Sequence, residues 1–219
     1  MELLPPQPPV TARTHGTARL KYIGAMKQKI GIIGKGNVGK ALQAGAQRAG
    51  HEVRMVGKGG GVKDTAAWAD LVILAVPYSV VDAVAAEIGS AADGKPVVDA
   101  TNALTRDGAL AVGFTTSGAE QLQKKLHGAR VVKAFNTVFA QTMITGTMKG
   151  TALWLPVAAD DAKAREAILQ LGRDIGFDAV DAGPLANARS LESVGYLIIQ
   201  LGYVINKGMG TAIGFTLVR

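Results

Sequence analysis

The sequence predicts an α/β fold, namely a Rossmann-like, doubly wound and mostly parallel sheet with a small C-terminal α/β lobe. Short apolar runs alternate with longer segments of helical spacing from residue 29 onward. This alternation is typical of a parallel sheet with helices on both faces. A glycine-rich turn joins the first apolar run to the first helical segment. With 48% hydrophobic and 19% charged residues, the composition is that of a globular protein.

The predicted strands are short apolar runs, the pattern of strands buried on both faces. They cover residues 30–33, 53–56, 71–76, 96–99, 131–135, 153–157 and 179–180. Pro156 lacks an amide N–H, so we expect its strand to lie at a sheet edge or to end there.

The predicted helices have apolar residues at helical spacing. They cover residues 37–49, 64–69, 80–88, 120–126, 160–175 and 187–207. Gly50 and Gly208 follow the first and last helices as C-terminal caps. The last helix is apolar on two faces, whereas a surface helix needs only one apolar stripe. Its second face is therefore expected to meet either the other side of the core or a second subunit.

The composition excludes several classes of protein. The chain has no cysteine, which rules out disulfide scaffolds, thiolate metal sites, iron–sulfur clusters and cysteine nucleophiles. The net charge is +7, and much of it lies in residues 1–29. No basic helix face or RNA-binding motif accompanies that charge, so we expect no nucleic-acid partner. No apolar run has the length of a signal peptide or a membrane span, so we expect a cytoplasmic protein with no membrane partner.

The turn after the first strand has the G-x-G-x-x-G pattern of dinucleotide-binding proteins. Its residues are Gly34, Lys35, Gly36, Asn37, Val38 and Gly39. The first glycine makes the turn, the second lets a pyrophosphate approach the backbone, and the third lets helix and strand pack closely. The helix N-terminus adds unpaired N–H groups and a positive dipole end. Because the pattern follows an apolar run and opens a helix, it predicts a dinucleotide site rather than an empty turn.

The end of the second strand predicts NADP(H) rather than NAD. An NAD site has an acid there, which accepts a hydrogen bond from the ribose 2′-hydroxyl. This chain has Gly57 and Lys58, and the first carboxylate is Asp64. A 2′-phosphate favours a cation, so Lys58 is the predicted contact. The alternative is that Lys58 is a solvated loop lysine, since lysine lacks the planar fork of arginine.

Polar side chains follow the third, fourth and fifth strands, where ligands of doubly wound sheets lie. The candidates are Val76, Pro77, Tyr78, Asn102, Phe135 and Asn136. The amides of Asn102 and Asn136 suit a nicotinamide carboxamide or a substrate carbonyl, and Tyr78 could stack or donate. Asn136 and Thr137 could equally be turn residues.

No residue is predicted to act as a general acid or base. The three histidines, His15, His51 and His127, lie away from the carboxyl ends of the strands. Asp99 could serve, although a carboxylate at a strand end is more often a turn former. Hydride exchange between two redox cofactors needs ring alignment more than proton chemistry from the protein. The missing acid–base group therefore favours that reaction.

Four motifs resemble the NADPH-dependent reductases of the deazaflavin coenzyme F420. They are Gly-Asn-Val-Gly at 36–39, Val-Pro-Tyr at 76–78, Lys-Ala-Phe-Asn-Thr-Val at 133–138, and Asp-Ala-Gly-Pro-Leu at 181–185 with Arg189 and Glu192. The resemblance implies hydride transfer between nicotinamide C4 and the deazaflavin, and a homodimer. It also implies residues 35–38 around the pyrophosphate, Gly57 and Lys58 at the 2′-phosphate, and Val76 and residues 136–140, including Val138 and Ala140, beside the nicotinamide.

The chain departs from that family at two places. Family members often have Ser-Arg where this chain has Gly57 and Lys58, and the helix between the second and third strands is reduced to residues 62–69. Residues 181–185 could also be a simple strand-end turn, and Arg189 and Glu192 an i,i+3 surface pair. Two alternative functions remain. One is a nucleotide-sensing NADP-binding module without catalysis, and the other is an NADPH-dependent reductase of a small carbonyl or imine.

The sequence predicts three segments. Residues 1–26 are expected to form a disordered, proline-rich leader, with Met26 as the hypothetical functional start. Residues 27–145 are expected to form the NADP-binding Rossmann domain, and residues 146–219 a small C-terminal lobe packed on it.

Overall fold

The computed structural model describes residues 27–207 and 214–218, and these form the predicted α/β fold. The nine strands of this part of the chain are β1 Lys29–Ile33, β2 Glu52–Val56, β3 Leu71–Leu74, β4 Pro96–Asp99, β5 Arg130–Lys133, β6 Thr147–Met148, β7 Thr151–Ala152, β8 Trp154–Ala159 and β9 Asp178–Asp181. Seven of them make one sheet in the order β2-β1-β3-β4-β5-β8-β9, and β6 and β7 form a separate hairpin. All neighbouring pairs in the sheet are parallel except β5 and β8.

Helices cover both faces of the sheet, which confirms the doubly wound architecture. They are α1 Asn37–Arg48, α2 Val62–Trp68, α3 Val81–Ile88, α4 Gly118–Lys125, α5 Ala162–Ile175 and α6 Ala188–Ile199. One apolar core lies under α1 and α5 and contains Leu42 and Ile168. The other lies under α2, α3 and α4 and contains Ala66, Ile88 and Leu122. Among the described residues, no helix has the length and apolar character needed to cross a membrane.

The predicted leader, residues 1–26, lies outside the described residues. Two strands of the predicted C-terminal lobe, β8 and β9, extend the same sheet as β1–β5, whereas its other two described strands, β6 and β7, form the hairpin. Its helix α5 covers the same core as α1. The boundary at residue 145 stays a prediction.

Two strands end earlier than predicted because the chain turns away toward the carboxyl edge of the sheet. The prediction carried the third strand to residue 76, whereas β3 ends at Leu74. The fifth strand was predicted to reach residue 135, whereas β5 ends at Lys133. Phe135 has a φ of +67°, which is outside the range of a strand. This turn brings Asn136 to the edge of the sheet.

Pro156 lies inside β8, which is not an edge strand and continues to Ala159, so the prediction of an edge strand or a strand end at Pro156 was wrong. The ladder between β5 and β8 covers only Ala158 and Ala159 of β8. Pro156 pairs with Val180 of β9. Proline is tolerated because this part of the strand has a ladder partner on one side only.

The last helix changes its hydrogen-bonding pattern part-way along. It is α-helical to Ile199 and continues as a π-helical segment, Gln200–Ile205. The predicted cap Gly208 lies outside the described residues. A Cβ atom on Gly202 would lie 2.5 Å from Cζ of Phe139, so the glycine is needed for this segment to pack so closely.

A buried lysine joins β4, β5 and α6. Lys133 is fully buried, and its Nζ donates to Oδ2 of Asp99 at 2.9 Å and to the carbonyl of Thr101 at 2.8 Å. Its Nζ also lies 3.0 Å from Oε1 of Glu192 on α6. Burial alone would lower the pKa of Lys133, but the two carboxylates outweigh it and raise the pKa, so the ammonium stays charged at neutral pH.

Replacing Lys133 by methionine should lower the free energy of unfolding by about 3–5 kcal/mol, because two buried carboxylates would lose their counter-ion. Lys125 is the matched control, since its 3.1 Å pair with Asp82 is exposed. Lys125→Met should cost about 1 kcal/mol or less. Urea unfolding of both variants measures the difference. Equal losses would contradict the structural role given to Lys133.

Candidate functional site

Two adjoining clefts lie at the carboxyl ends of the central strands. The first has a volume of about 350 Å³ and lies between the ends of β3, β4 and β5 and helix α6. The second, of about 680 Å³, lies between the ends of β1 and β2 and helix α3. They share Gly36, Ala75, Val76 and Pro77. Together they form one elongated groove, with the glycine turn at its centre.

The groove brings together most of the predicted site residues. Those in the first cleft are Gly36, Asn37, Val38, Val76, Pro77, Tyr78, Asn102, Asn136, Val138 and Ala140. Those in the second are Gly34, Lys35, Gly36, Gly57, Lys58, Val76 and Pro77. Gly39 and Phe135 line neither cleft. Gly39 is buried in α1, and Phe135 is a core residue whose ring packs edge-on to Phe177.

The three glycines of the turn differ in what a Cβ atom would meet at each position. Gly34 has a φ of +126°, and a Cβ there would lie 2.1 Å from the carbonyl oxygen of Ala75. A Cβ on Gly39 would lie 1.9 Å from the carbonyl oxygen of Gly34. A Cβ on Gly36 would meet no protein atom within 4 Å. The fold therefore requires the first and third glycines, whereas the second leaves open space for a ligand.

The N-terminus of α1 has features of an anion-binding site. Its first turn has no acidic residue, and no side chain caps it at Gly36. Ser117 caps α4 and Asp161 caps α5, whereas α2, α3 and α6 have no side-chain cap either. The uncapped N–H groups and the helix dipole of α1 therefore remain for a phosphate in the groove.

Two asparagines meet in the first cleft, and their orientation follows from their hydrogen bonds. Nδ2 of Asn136 donates to the carbonyl oxygen of Leu191 on α6 at 2.8 Å and lies 3.5 Å from Oδ1 of Asn102. Its Oδ1 is buried and has no hydrogen-bond partner among the described residues. The same holds for Oγ1 of Thr101, which also lines this cleft. A buried acceptor without a partner costs free energy.

Helix α6 forms one wall of the first cleft, which the sequence did not predict. A Cβ on Gly195 would lie 2.5 Å from Oδ1 of Asn102 and 2.7 Å from Nδ2 of Asn136. Ile198 and Tyr203 complete the wall. A signal was present, because Gly195 and Gly202 stand one heptad apart in an apolar helix and mark a close approach.

Tyr78 is a neutral donor at the edge of the first cleft. Its hydroxyl donates to Oε1 of Gln121 at 2.7 Å. Partial burial raises the pKa of Tyr78, and the nearby carboxylates of Glu192, Asp82 and Asp99 raise it further. The phenol therefore stays protonated at neutral pH.

Among the described residues, no carboxylate, histidine, lysine or arginine lines the first cleft. The titratable side chains that line it there are Tyr78 and Tyr203. Asp99, which the sequence left open as an acid or base, is 1% exposed, pairs with Lys133 and lines neither cleft. Within the described residues, no group of acidic and histidine side chains could hold a metal ion.

The motif at 181–192 lies outside both clefts. Gly183 donates its N–H to Oδ1 of Asp181 in a strand-end turn. Arg189 makes two hydrogen bonds to Glu120, at 2.6 and 2.9 Å. Glu192 is 2% exposed and accepts from the N–H groups of Gly118 and Ala119. The two charged residues therefore pair with different partners, and the interpretation as an i,i+3 surface pair was wrong.

Comparison with known proteins gives relatives of one kind over most of the chain. The chain is 32% identical over 181 residues to the F420-dependent NADP reductase of Methanothermobacter thermautotrophicus, covering 78% of this chain and 77% of that protein. A solved structure of a proposed F420-dependent NADP reductase from Arthrobacter sp. FB24 matches with a TM-score of 0.79 and 26% identity. It covers 88% of this chain and 100% of that one.

A second kind of relative matches only in part. The chain is 31% identical over 101 residues to the metalloreductase STEAP3 of Rattus norvegicus, which is 46% of this chain. The match spans 20% of the metalloreductase. No protein-family model matches the chain.

The glycines of the turn give a paired prediction. Gly34→Ala should lower the free energy of unfolding by at least about 2 kcal/mol, because the methyl group would overlap a backbone oxygen and φ is positive. Gly36→Ala should leave it unchanged within about 0.5 kcal/mol, since its Cβ would project into open space. Urea unfolding tests both variants. A large loss for Gly36→Ala would contradict the open space assigned to that position.

Proposed function

The chain belongs to the family of F420-dependent NADP reductases, which are NADP-dependent oxidoreductases, and on that premise we propose that it transfers hydride between NADP(H) and the deazaflavin F420 or a related small acceptor. The nicotinamide supplies or accepts the hydride at C4. The protein binds the two partners, orients them and excludes water from the first cleft.

The lining of the first cleft is the observation that carries this proposal. The polar groups that line the first cleft are the amides of Asn37, Asn102 and Asn136 and the hydroxyls of Thr101, Tyr78 and Tyr203, and among the described residues no carboxylate, histidine, lysine or arginine lines it. Reduction of a simple carbonyl or imine requires a proton donor beside the reacting atom. The titratable lining side chains are the two tyrosines, and the hydroxyl of Tyr78 already donates to Gln121. Hydride exchange between two cofactor rings requires alignment and exclusion of water instead.

The dinucleotide would span both clefts. The backbone of the turn from Lys35 to Val38 and the N-terminus of α1 would hold the pyrophosphate, since Gly36 leaves room there. Lys58 would bind the 2′-phosphate in the second cleft. The nicotinamide would lie in the first cleft against Val76, Val138 and the neighbouring residues of the 136–140 stretch.

The orphan oxygen of Asn136 fits the nicotinamide carboxamide. The carboxamide has an NH₂ group that can donate, and Oδ1 of Asn136 is a buried acceptor without a partner among the described residues. The carbonyl of Leu191 accepts from Nδ2 at the other end of the asparagine amide, which leaves Oδ1 as the free end. We therefore assign Asn136 to the carboxamide rather than to the second substrate.

Hydride transfer with purified protein tests the proposed function. NADPH is mixed with F420, with a panel of small carbonyls and imines, or with no acceptor, and absorbance follows both redox partners. Oxidation of NADPH only with F420 supports the proposal. Turnover of a carbonyl or imine but not of F420 overturns it in favour of a small-molecule reductase. Tight NADPH binding without turnover of any acceptor overturns it in favour of a sensing module.

The role of Asn136 predicts discrimination between two dinucleotides. The 3-acetylpyridine analogue of NADP⁺ has an acetyl group in place of the carboxamide and cannot donate to Oδ1. Wild-type protein should bind NADP⁺ about tenfold more tightly than the analogue, because the analogue leaves the buried oxygen unpaired. In Asn136→Leu the two dissociation constants should become nearly equal. Calorimetry measures the two dissociation constants. If the variant still prefers NADP⁺ over the analogue as strongly as the wild type does, the assignment of Asn136 to the carboxamide is contradicted.

We further propose that the protein is a cytoplasmic homodimer that acts on small molecules. Support for the dimer comes from α6 and the π-helical segment, where Leu197 is 52% exposed, Val204 59% and Ile205 66%. Such adjacent apolar side chains are typical of an interface between subunits. The sequence left the partner of the second α6 face open, and this exposure favours a second subunit over the core.

Replacing Val204 and Ile205 by lysine should convert the dimer to a monomer, because four charges would be buried at the symmetric interface. Light scattering after size-exclusion chromatography measures the mass. The double substitution Lys124→Gln and Lys125→Gln on α4 is the control and should remain dimeric. A monomeric wild-type protein at high concentration would refute the dimer.

A further inference from the structure

The side chain of Lys35 leaves the phosphate turn and runs to the end of β2. A Cβ atom built on Gly57 would lie 3.1 Å from both Cγ and Cδ of Lys35 and 3.4 Å from its Cβ. The aliphatic part of Lys35 thus lies along the backbone of Gly57. The turn residue and the residue that follows β2 form a single surface, although they are 22 positions apart in the sequence.

This surface lies where doubly wound proteins bind the 2′-hydroxyl or 2′-phosphate of the adenosine ribose. Lys35, Gly57 and Lys58 all line the second cleft. Neither lysine has an ion-pair partner within residues 27–207 and 214–218. The carboxylate that lines this cleft, Glu87, belongs to α3. Two lysines that lack an ion-pair partner among the described residues therefore line the same cleft, together with Glu87.

The charge of the 2′-phosphate favours binding by both Lys35 and Lys58. A phosphate monoester carries about −1.5 to −2 charges at neutral pH, so a single lysine leaves it only half neutralised. The pyrophosphate does not need the Lys35 side chain, because the turn backbone and the N-terminus of α1 serve it. Lysine is a point charge, and two lysines can supply what the fork of one arginine supplies elsewhere.

We propose that Lys35 is a second 2′-phosphate-binding residue and a determinant of NADP(H) specificity, and that the missing side chain of Gly57 gives it access to that subsite. This inference rests on the proposed use of NADP(H). It assigns the side chain of Lys35 to the 2′-phosphate, whereas its backbone stays part of the pyrophosphate turn.

Two substitutions test the inference from different directions. Lys35→Gln removes the charge but keeps most of the aliphatic stem. Gly57→Ala removes no charge, and its methyl group would press on Cγ and Cδ of Lys35 and displace the stem. Gly57 does not have a positive φ, so alanine introduces no backbone strain there. Lys63→Gln on α2 is the matched control, since Lys63 is exposed nearby but does not line the cleft.

The readouts are the dissociation constants of NADPH, NADH and the fragment 2′,5′-ADP, with melting temperature as a check of folding. Lys35→Gln should weaken NADPH and 2′,5′-ADP about fivefold to tenfold and change NADH less than about twofold. Gly57→Ala should also raise the dissociation constant of NADPH relative to that of NADH, by a smaller factor. In Lys63→Gln the ratio of the NADPH and NADH dissociation constants should match that of the wild type.

The outcomes separate this inference from the proposed function. If wild-type protein binds NADH as tightly as NADPH, the proposed use of NADP(H) fails and the inference fails with it. If the wild type prefers NADPH but Lys35→Gln weakens NADPH and NADH equally, Lys35 serves the pyrophosphate, so the inference is overturned and the proposed function stands. A selective loss of NADPH in both Lys35→Gln and Gly57→Ala supports the inference.

Discussion

The ammonium group of Lys133 is the contact on which the first cleft depends. It lies at the end of β5 without solvent contact and joins the carboxylates of β4 and α6. Glu192 in turn accepts from the first two N–H groups of α4, so one carboxylate ties α6 to both a strand and a helix. Arg189 of α6 also pairs with Glu120 of α4, but that pair is partly exposed, whereas the ammonium and carboxylate that join α6 to β5 are buried. The wall of the cleft, including the carbonyl that orients Asn136, depends on this attachment.

The groove separates two kinds of chemistry along its length. Backbone N–H groups, an uncapped helix and lysines surround the second cleft, whereas apolar side chains and amides surround the first. Phosphates would gain most from the charged half, and ring systems that exchange hydride from the apolar half. The buried charges nearest the first cleft, those of Lys133, Asp99 and Glu192, pair with one another inside the protein and do not line the cleft.

Much of the fold and a large part of the groove could be predicted from the sequence. The glycine turn, Lys58 and the asparagines after β4 and β5 were predicted because each follows a short apolar strand, and parallel strands end at a common edge. Phe135 lines neither cleft, since it has a positive φ and its ring lies in the core, which its position in the sequence does not reveal. The contribution of α6 was missed because it comes from the distant end of the chain.

Local patterns in the sequence determined the alternation of strands and helices, the phosphate turn, and the absence of a carboxylate after β2. These follow from hydrophobic periodicity and from the side chains of a few adjacent residues. Only the tertiary structure decided which charged residues are structural and which face a ligand. Asp99 was a candidate acid or base in the sequence, and Lys133 and Glu192 belonged to the family motifs, yet the three form one buried ion-pair cluster. Lys35 reads as a turn residue, yet its stem lies on Gly57. Such pairings join residues that are far apart along the chain, so their energies depend on distances that only the packed fold defines.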